Sequence, residues 1–302
     1  MTKAKPFLKW AGGKTQLIKK FQEFYPNELK AGKIHRYIEP FLGSGAVFFD
    51  IAQNYKINSA FLCDINEELI LTFQVVKKNV EKLIDCLEKH KKFYYRLNKE
   101  KRKEYFYKER KRFNQQKENI DFDSFSEKWI NRAAQIIFLN KTCYNGLFRM
   151  NSKGEFNSPA GSYSNPQIVD VQNMLRVSEL LQQSKIMRLN FTEIKRRVTR
   201  NSFVYFDPPY RPLNNTSNFT SYSKFQFNDE QQYRLSELFK ALDKKKAKLM
   251  LSNSDPKNEK PDDTFFDNLY QGYHIHTVKA NRMINSNKNK RGKINEILIL
   301  NY

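Results

Sequence analysis

Short apolar runs that alternate with helical patterns predict an α/β fold on a mostly parallel sheet. Two details sharpen that expectation. A glycine-containing turn follows the first run directly, and more than 120 residues separate the second run from the third, far more than a crossover needs. The long gap predicts an inserted, mainly helical subdomain carrying a β-hairpin. The boundaries expected are 1–75 for the first part of the sheet domain, 76–175 for the insertion and 176–302 for the second part.

Seven runs read as strands: Arg36 to Glu39, Ser59 to Cys63, Ile186 to Leu189, Ser202 to Phe206, Ala247 to Leu251, His274 to Val278 and Glu296 to Leu300. Leu17, Ile18, Phe21 and Phe24 mark an amphipathic helix ahead of the first strand. The clearest helix spans roughly Asp229 to Lys245, with Asn228 as N-cap and Leu235, Leu238, Phe239 and Leu242 on one stripe. The insertion opens with a basic helical tract and continues into Cys143 to Pro166, rich in Asn, Gly, Ser and Tyr.

Composition narrows the functional classes. With 302 residues, 39% of them hydrophobic, the chain can bury a large core. No apolar stretch approaches the roughly 20 residues of a membrane span, and Met1 to Pro6 lacks the apolar centre of a secretion signal, so a cytoplasmic protein without a membrane partner is expected. Cys63, Cys86 and Cys143 are far apart and form no Cys-x-x-Cys pair, which predicts neither a disulfide framework nor a zinc cluster. His274 and His276 share a strand without a third ligand nearby, so no metal is expected. The 54 Lys and Arg against 32 acids give a net charge of +22, which implies a polyanionic partner, foremost nucleic acid. Between Lys89 and Glu118 thirteen cations face four acids, interleaved with Phe93, Tyr94, Tyr95, Tyr105, Phe106, Tyr107 and Phe113. Aromatics among cations suit nucleic acid better than a purely solvating face.

Three segments point to a nucleoside-containing ligand. The first strand leads into Glu39-Pro40-Phe41-Leu42-Gly43-Ser44-Gly45 and the helical start Ala46-Val47-Phe48-Phe49, and Gly43 and Gly45 would let a ligand approach the backbone. The second strand ends at Asp64, 21 residues after Gly43, near the spacing of about 20 at which an acid reaches a ribose; the alternative is a helix cap. The third segment is Phe7 to Thr15. Its Gly-Lys-Thr ending suggests a phosphate loop, but that pattern needs glycine where Leu8 stands. Lys14 would instead meet a ligand carboxylate, with Trp10 as an apolar wall.

The reactive candidate is Asp207-Pro208-Pro209-Tyr210, directly after the fourth strand, at the sheet end where ligands of open α/β sheets bind. A carboxylate, the Pro208 carbonyl and the Tyr210 ring would accept the two amine protons of a base and stack on its face. A rigid strand exit is the alternative.

In these segments, and in Asn145-Gly146-Leu147-Phe148-Arg149 and Gly154-Glu155-Phe156-Asn157, the chain resembles the α-group, D12-class DNA adenine-N6 methyltransferases, the Dam-like family that methylates GATC. The match runs nearly end to end. The resemblance implies a Rossmann-like class I methyltransferase sheet and S-adenosylmethionine as cofactor, bound by Trp10, Lys14, Gly43, Gly45, Asp64 and Asp207. It implies Asp207, Pro208 and Tyr210 as the catalytic set, and Phe191 beside the cofactor adenine. The insertion becomes a target-recognition region. Asn145-Gly146 is also a hairpin turn signal, and a β-ribbon fits the major groove. There Arg149 would donate twice to guanine while Leu147 and Pro159 meet thymine methyls. Lys9 resembles a further guanine contact and Tyr144 a residue entering the base stack beside the flipped adenine. One departure is Ser162, where the pattern has a phosphate-binding arginine.

Two other classes compete with a DNA methyltransferase: an RNA-modifying methyltransferase, and a basic nucleic-acid-binding protein without catalysis. Intact Lys14, Asp64 and Asp207 argue against the latter, and a major-groove ribbon against the former, because the deep major groove of duplex RNA is closed to side chains. The partner expected is double-stranded DNA, bound by a monomer in the nucleoid, in a restriction-modification setting beside an endonuclease or acting alone in DNA replication or repair.

Overall fold

The computed structural model describes residues 3–211, 227–281 and 293–302. Its strands are β1 (Arg36–Glu39), β2 (Ser59–Asp64), β3 (Ser184–Arg188), β4 (Ser202–Phe206), β5 (Lys248–Ser254), β6 (His274–Asn281) and β7 (Lys293–Leu300). All seven runs anticipated from the sequence are strands. They form one sheet in the order β3-β2-β1-β4-β5-β7-β6. The first five are parallel, whereas β7 runs antiparallel to both β5 and β6. Because β7 is reversed, its early residues lie at the carboxyl ends of the parallel strands: Glu296 pairs in register with Ser254, the last residue of β5.

Among the described residues ten α-helices surround the sheet: α1 (Ile18–Phe24), α2 (Asn27–Lys30), α3 (Ala46–Asn54), α4 (Glu67–Lys78), α5 (Val80–Tyr95), α6 (Lys99–Gln115), α7 (Lys128–Thr142), α8 (Val171–Leu181), α9 (Asp229–Asp243) and α10 (Phe265–Leu269). Their starts follow local chemistry. The expected cap of α9 is present, with the Asn228 side chain accepting from the Gln231 N–H at 3.1 Å. Asn66 caps α4 in the same way, and Glu67, Glu68, Lys77 and Lys78 complement the dipole at its two ends.

Alternation along the strands splits the core in two. Tyr37, Leu62, Phe203 and Tyr205 face one side, Ile38, Phe61, Val204 and Phe206 the other, where Leu235, Phe239 and Leu242 of α9 cover them. The insertion has no core of its own. Leu83, Leu87, Phe106, Phe113 and the apolar side of α7 join the cluster on the first face. A buried ion pair fastens it, Arg132 of α7 meeting Glu68 of α4 (Nε–Oε2 3.0 Å) while the same guanidinium lies 3.4 Å from the centre of the Phe113 ring. Removing one partner of such a pair typically costs about 3–5 kcal/mol.

The aromatics of the basic tract are corrected by this packing. Tyr94 and Tyr105 meet Phe138 of α7 edge-on, and Phe113 meets Phe148 and Phe156. They hold α5 and α6 in place, and among the tract's aromatics only Phe93 is broadly exposed. The hairpin also differs. Asn145 and Gly146, at φ 57° and 67°, sit in a tight turn within one arm, and the ribbon reverses later, at Asn151 to Gly154. The arms are joined by bridges between Cys143 and Ala160 and between Met150 and Phe156, too sparse to form strands.

Candidate active site at the carboxyl edge of the sheet

Asp207 leaves β4 with its side chain a fifth exposed. One oxygen lies 2.7 Å from Nζ of Lys14, whose side chain is 3% exposed, and accepts from Ser252 Oγ of β5 at 3.3 Å. Lys14 also donates to the Gly12 carbonyl (2.8 Å) and the Tyr210 hydroxyl (3.2 Å). Tyr210 in turn donates to Oε1 of Glu296 at 2.8 Å, and the other Glu296 oxygen stands 3.9 Å from Lys14 Nζ. The lysine expected to meet a ligand carboxylate thus meets the chain's own acids. Burial works against its charge, yet Asp207, Tyr210 and Glu296 hold its pKa above the ordinary value, so it stays protonated. Burial raises Asp207 and Glu296 above the usual carboxylate range, and Lys14 opposes both shifts. The Pro209 carbonyl is taken by Gln232 Nε2 at 3.4 Å.

The glycine turn lies beside this cluster. Gly43, at φ 47°, donates its N–H to Asp64 Oδ2 (3.2 Å), and the Asn66 N–H donates to Oδ1 (3.0 Å). The spacing of 21 residues therefore closes a loop-to-loop hydrogen bond, while Asn66, not Asp64, caps the helix. Asp64 is raised by burial and drawn back by these N–H donors. The glycines also make room for neighbouring rings. A Cβ on Gly43 would stand 3.2 Å from the Trp10 ring, and one on Gly45 would meet Phe49 and Phe73 at 3.2 and 3.4 Å. Trp10 itself stacks on Phe148 of the insertion, centroids 5.6 Å apart.

Phe191, buried after β3, stacks on Phe41 at 5.3 Å, and Phe227 completes a trio at 5.6 and 5.7 Å. Sequence reasoning named Phe191 but missed Phe41 and Phe227. It also missed Glu296, whose only signal was an acid in an otherwise apolar strand. Glu39 is 2% exposed; it accepts from Tyr37 OH at 2.7 Å, and its carboxyl lies well above the usual range chiefly through burial.

The ribbon residues gather on one side of the insertion. Tyr144 is 57% exposed and Pro159 is exposed, Leu147 is half-buried, and Arg149 donates Nε to Asn157 Oδ1 at 2.8 Å. Lys9 joins them from the N-terminal segment, its Nζ 4.9 Å from the centre of the Tyr163 ring. The link is Asn140, fully buried. Its side chain accepts from Lys9 N–H and donates to the carbonyls of Lys9 and Gly146, each at 2.9 Å.

Comparison with known proteins agrees with this geometry. The profile of the D12 class N6 adenine-specific DNA methyltransferases matches residues 10–284. Over 99% of its length the chain is 50% identical to the type II methyltransferase M.MjaIII of Methanocaldococcus jannaschii, covering 99% of that protein. It is 38% identical to a type II methyltransferase of Lactococcus lactis subsp. cremoris and 32% identical to the DNA adenine methylase of Escherichia coli, over 99% of this chain and 95% and 96% of those proteins. No described helix is long and apolar enough to cross a membrane. The RNA-modifying and non-catalytic alternatives give way, and the chain belongs to the D12 class N6 adenine-specific DNA methyltransferases.

Proposed function

We propose that this enzyme transfers the methyl group of S-adenosylmethionine to N6 of adenine in GATC sites of duplex DNA. The observation that carries the proposal is the Asp207 carboxylate, held by Lys14 and Ser252 at the end of β4. The site's residues suit such a donor. The Phe41, Phe191 and Phe227 rings offer apolar faces to a purine, Asp64 lies at the end of β2 toward a ribose, and carboxylates outnumber cations around Lys14. When bound, S-adenosylmethionine supplies an electrophilic methyl group on a positively charged sulfur.

The lone pair of an adenine amine is delocalised into the ring and is a poor nucleophile. Asp207 and the Pro208 carbonyl accept the two N6 protons, which lets the nitrogen pyramidalise and aim its lone pair at the methyl carbon. Positive charge grows on N6 during transfer, so both acceptors favour the transition state over the ground state. Tyr210 and Pro209 flank the base, and alignment of nitrogen, carbon and sulfur supplies much of the remaining acceleration. Water takes the proton after transfer. On the DNA side Arg149 and Lys9 read guanines, Leu147 and Pro159 read thymine methyls, and Tyr144, with Asn145 in its turn, fills the space left by the flipped adenine. Trp10, Lys14, Gly43 and Gly45 border the donor. We place the enzyme in a type II restriction-modification setting, beside a restriction endonuclease, on the strength of its relatives' names, and take it to act as a monomer.

The test is transfer of label from S-adenosylmethionine to GATC duplexes, altered duplexes and duplex RNA, with the modified base mapped. Label should enter adenine of GATC alone. Asp207→Ala should abolish transfer while leaving duplex affinity largely intact, since phosphate contacts dominate non-specific binding. A folded Asp207→Ala protein with near-wild-type turnover would overturn the proposed role.

A further inference from the structure

Asp207 carries two demands at once. Its Oδ1 takes both Lys14 at 2.7 Å and Ser252 at 3.3 Å, while the reaction proposed above asks the same carboxylate to accept one amine proton through Oδ2. A second carboxylate stands within reach of the same ammonium. Glu296 is 5% exposed, fixed through Oε1 by the Tyr210 hydroxyl, while its Oε2 is buried without a hydrogen-bond partner among the described residues, 3.9 Å from Lys14 Nζ. A buried carboxylate oxygen left unpaired is unfavourable, and strands β5 and β6 on either side hold the residue in register opposite Ser254 and Val278. Among the described residues the cation beside this oxygen is the Lys14 ammonium, which Glu296 shares with Asp207.

We propose that Glu296 is a positioning residue of methyl transfer: it fixes the Tyr210 ring through its hydroxyl and, by sharing the Lys14 ammonium, holds Asp207 with its second oxygen turned to the target amine. With two carboxylates beside it the buried ammonium stays compensated while Asp207 also serves the amine. The inference rests on the role assigned to Asp207 above.

The test uses the full chain carrying Glu296→Gln, Tyr210→Phe or both, with melting temperature, duplex affinity, calorimetric affinity for S-adenosylmethionine and single-turnover methylation as readouts. Glu296→Gln keeps the shape and removes the charge. It should slow single-turnover transfer about 10- to 100-fold while melting temperature and duplex affinity stay near wild type. The double variant should lose less than the product of the single losses, because both changes act on the same linked cluster. A near-wild-type rate for Glu296→Gln, or a double variant whose loss is the product of the single losses, would overturn the proposal. Should Glu296→Gln fail to fold, Tyr210→Phe breaks the same bond from the other end, and an unchanged transfer rate there overturns it equally. A wild-type chain that transfers nothing from S-adenosylmethionine to duplex adenine defeats the proposed function instead.

Discussion

Glu39 ends β1 with its carboxyl buried and, among the described residues, only the Tyr37 hydroxyl as side-chain donor, while Asp207 and Asp64 add like charge. Its pKa is raised on folding, so the native state retains a proton that the unfolded chain releases as pH climbs past the ordinary carboxylate range. Stability therefore falls as pH rises across the window between the ordinary and the raised value. Glu39→Gln removes that penalty. The variant should melt higher at neutral pH, by roughly 2 °C per kcal/mol relieved in a chain of this size, and lose the decline between acid and neutral pH. Thermal melts of both proteins across that range decide it, and an unchanged slope would show that Glu39 is ionised in the fold. At this scale the sequence pointed to Asp207, Lys14 and Asp64 as candidates because each lies in a short motif at a strand or helix boundary. It hid Ser252 and Glu296, which reach the cluster across the sheet from strands whose patterns look purely structural.

The ribbon from Thr142 to Gly161 shows the same division among elements. Asn145-Gly146 has the local chemistry of a two-residue hairpin, yet Asn140 fixes the Gly146 carbonyl against the N-terminal segment, and reversal is deferred to Asn151 to Gly154. Tertiary hydrogen bonds overrode turn propensity. The strands and α9 were legible because alternation and capping are local, whereas the ribbon's course depends on partners 131 residues away. Two variants separate reading from support. Arg149→Ala should relax discrimination at one guanine by about 1–3 kcal/mol with stability unchanged. Asn140→Ala leaves Lys9 and Gly146 groups unpaired, so it should destabilise the fold by about 1–3 kcal/mol and blur every position the ribbon reads. Methylated adenines mapped in a methylation-free host, together with melts, distinguish the patterns; equal and uniform blurring by both would reject Arg149 as a guanine contact.

For the whole molecule, a charge of +22 predicts duplex binding that weakens steeply with salt. The structure divides the basic tract in a way that counting could not. Arg102 donates to the Tyr94, Tyr95 and Ser164 carbonyls and Arg110 to that of Ser158, so these two brace the insertion, while Lys101, Lys103, Lys108, Lys111 and Arg112 are exposed. Neutralising the five exposed residues should flatten the slope of log affinity against log salt by about one unit for each phosphate they neutralise, and leave sequence preference alone. An unaltered slope in binding titrations would make the tract a solvated surface only.

Lys14 and Glu296 lie near opposite extremes of the sequence, yet they stand 3.9 Å apart. Closing so long a loop is entropically slow, so local helices and neighbouring strand pairs form well before this meeting. The basic helices emerge early in synthesis and the antiparallel strand late. On the roles proposed above, the charged helices that would meet DNA precede β7 in the chain, and the carboxylate that completes the Lys14 cluster comes from a strand made after them.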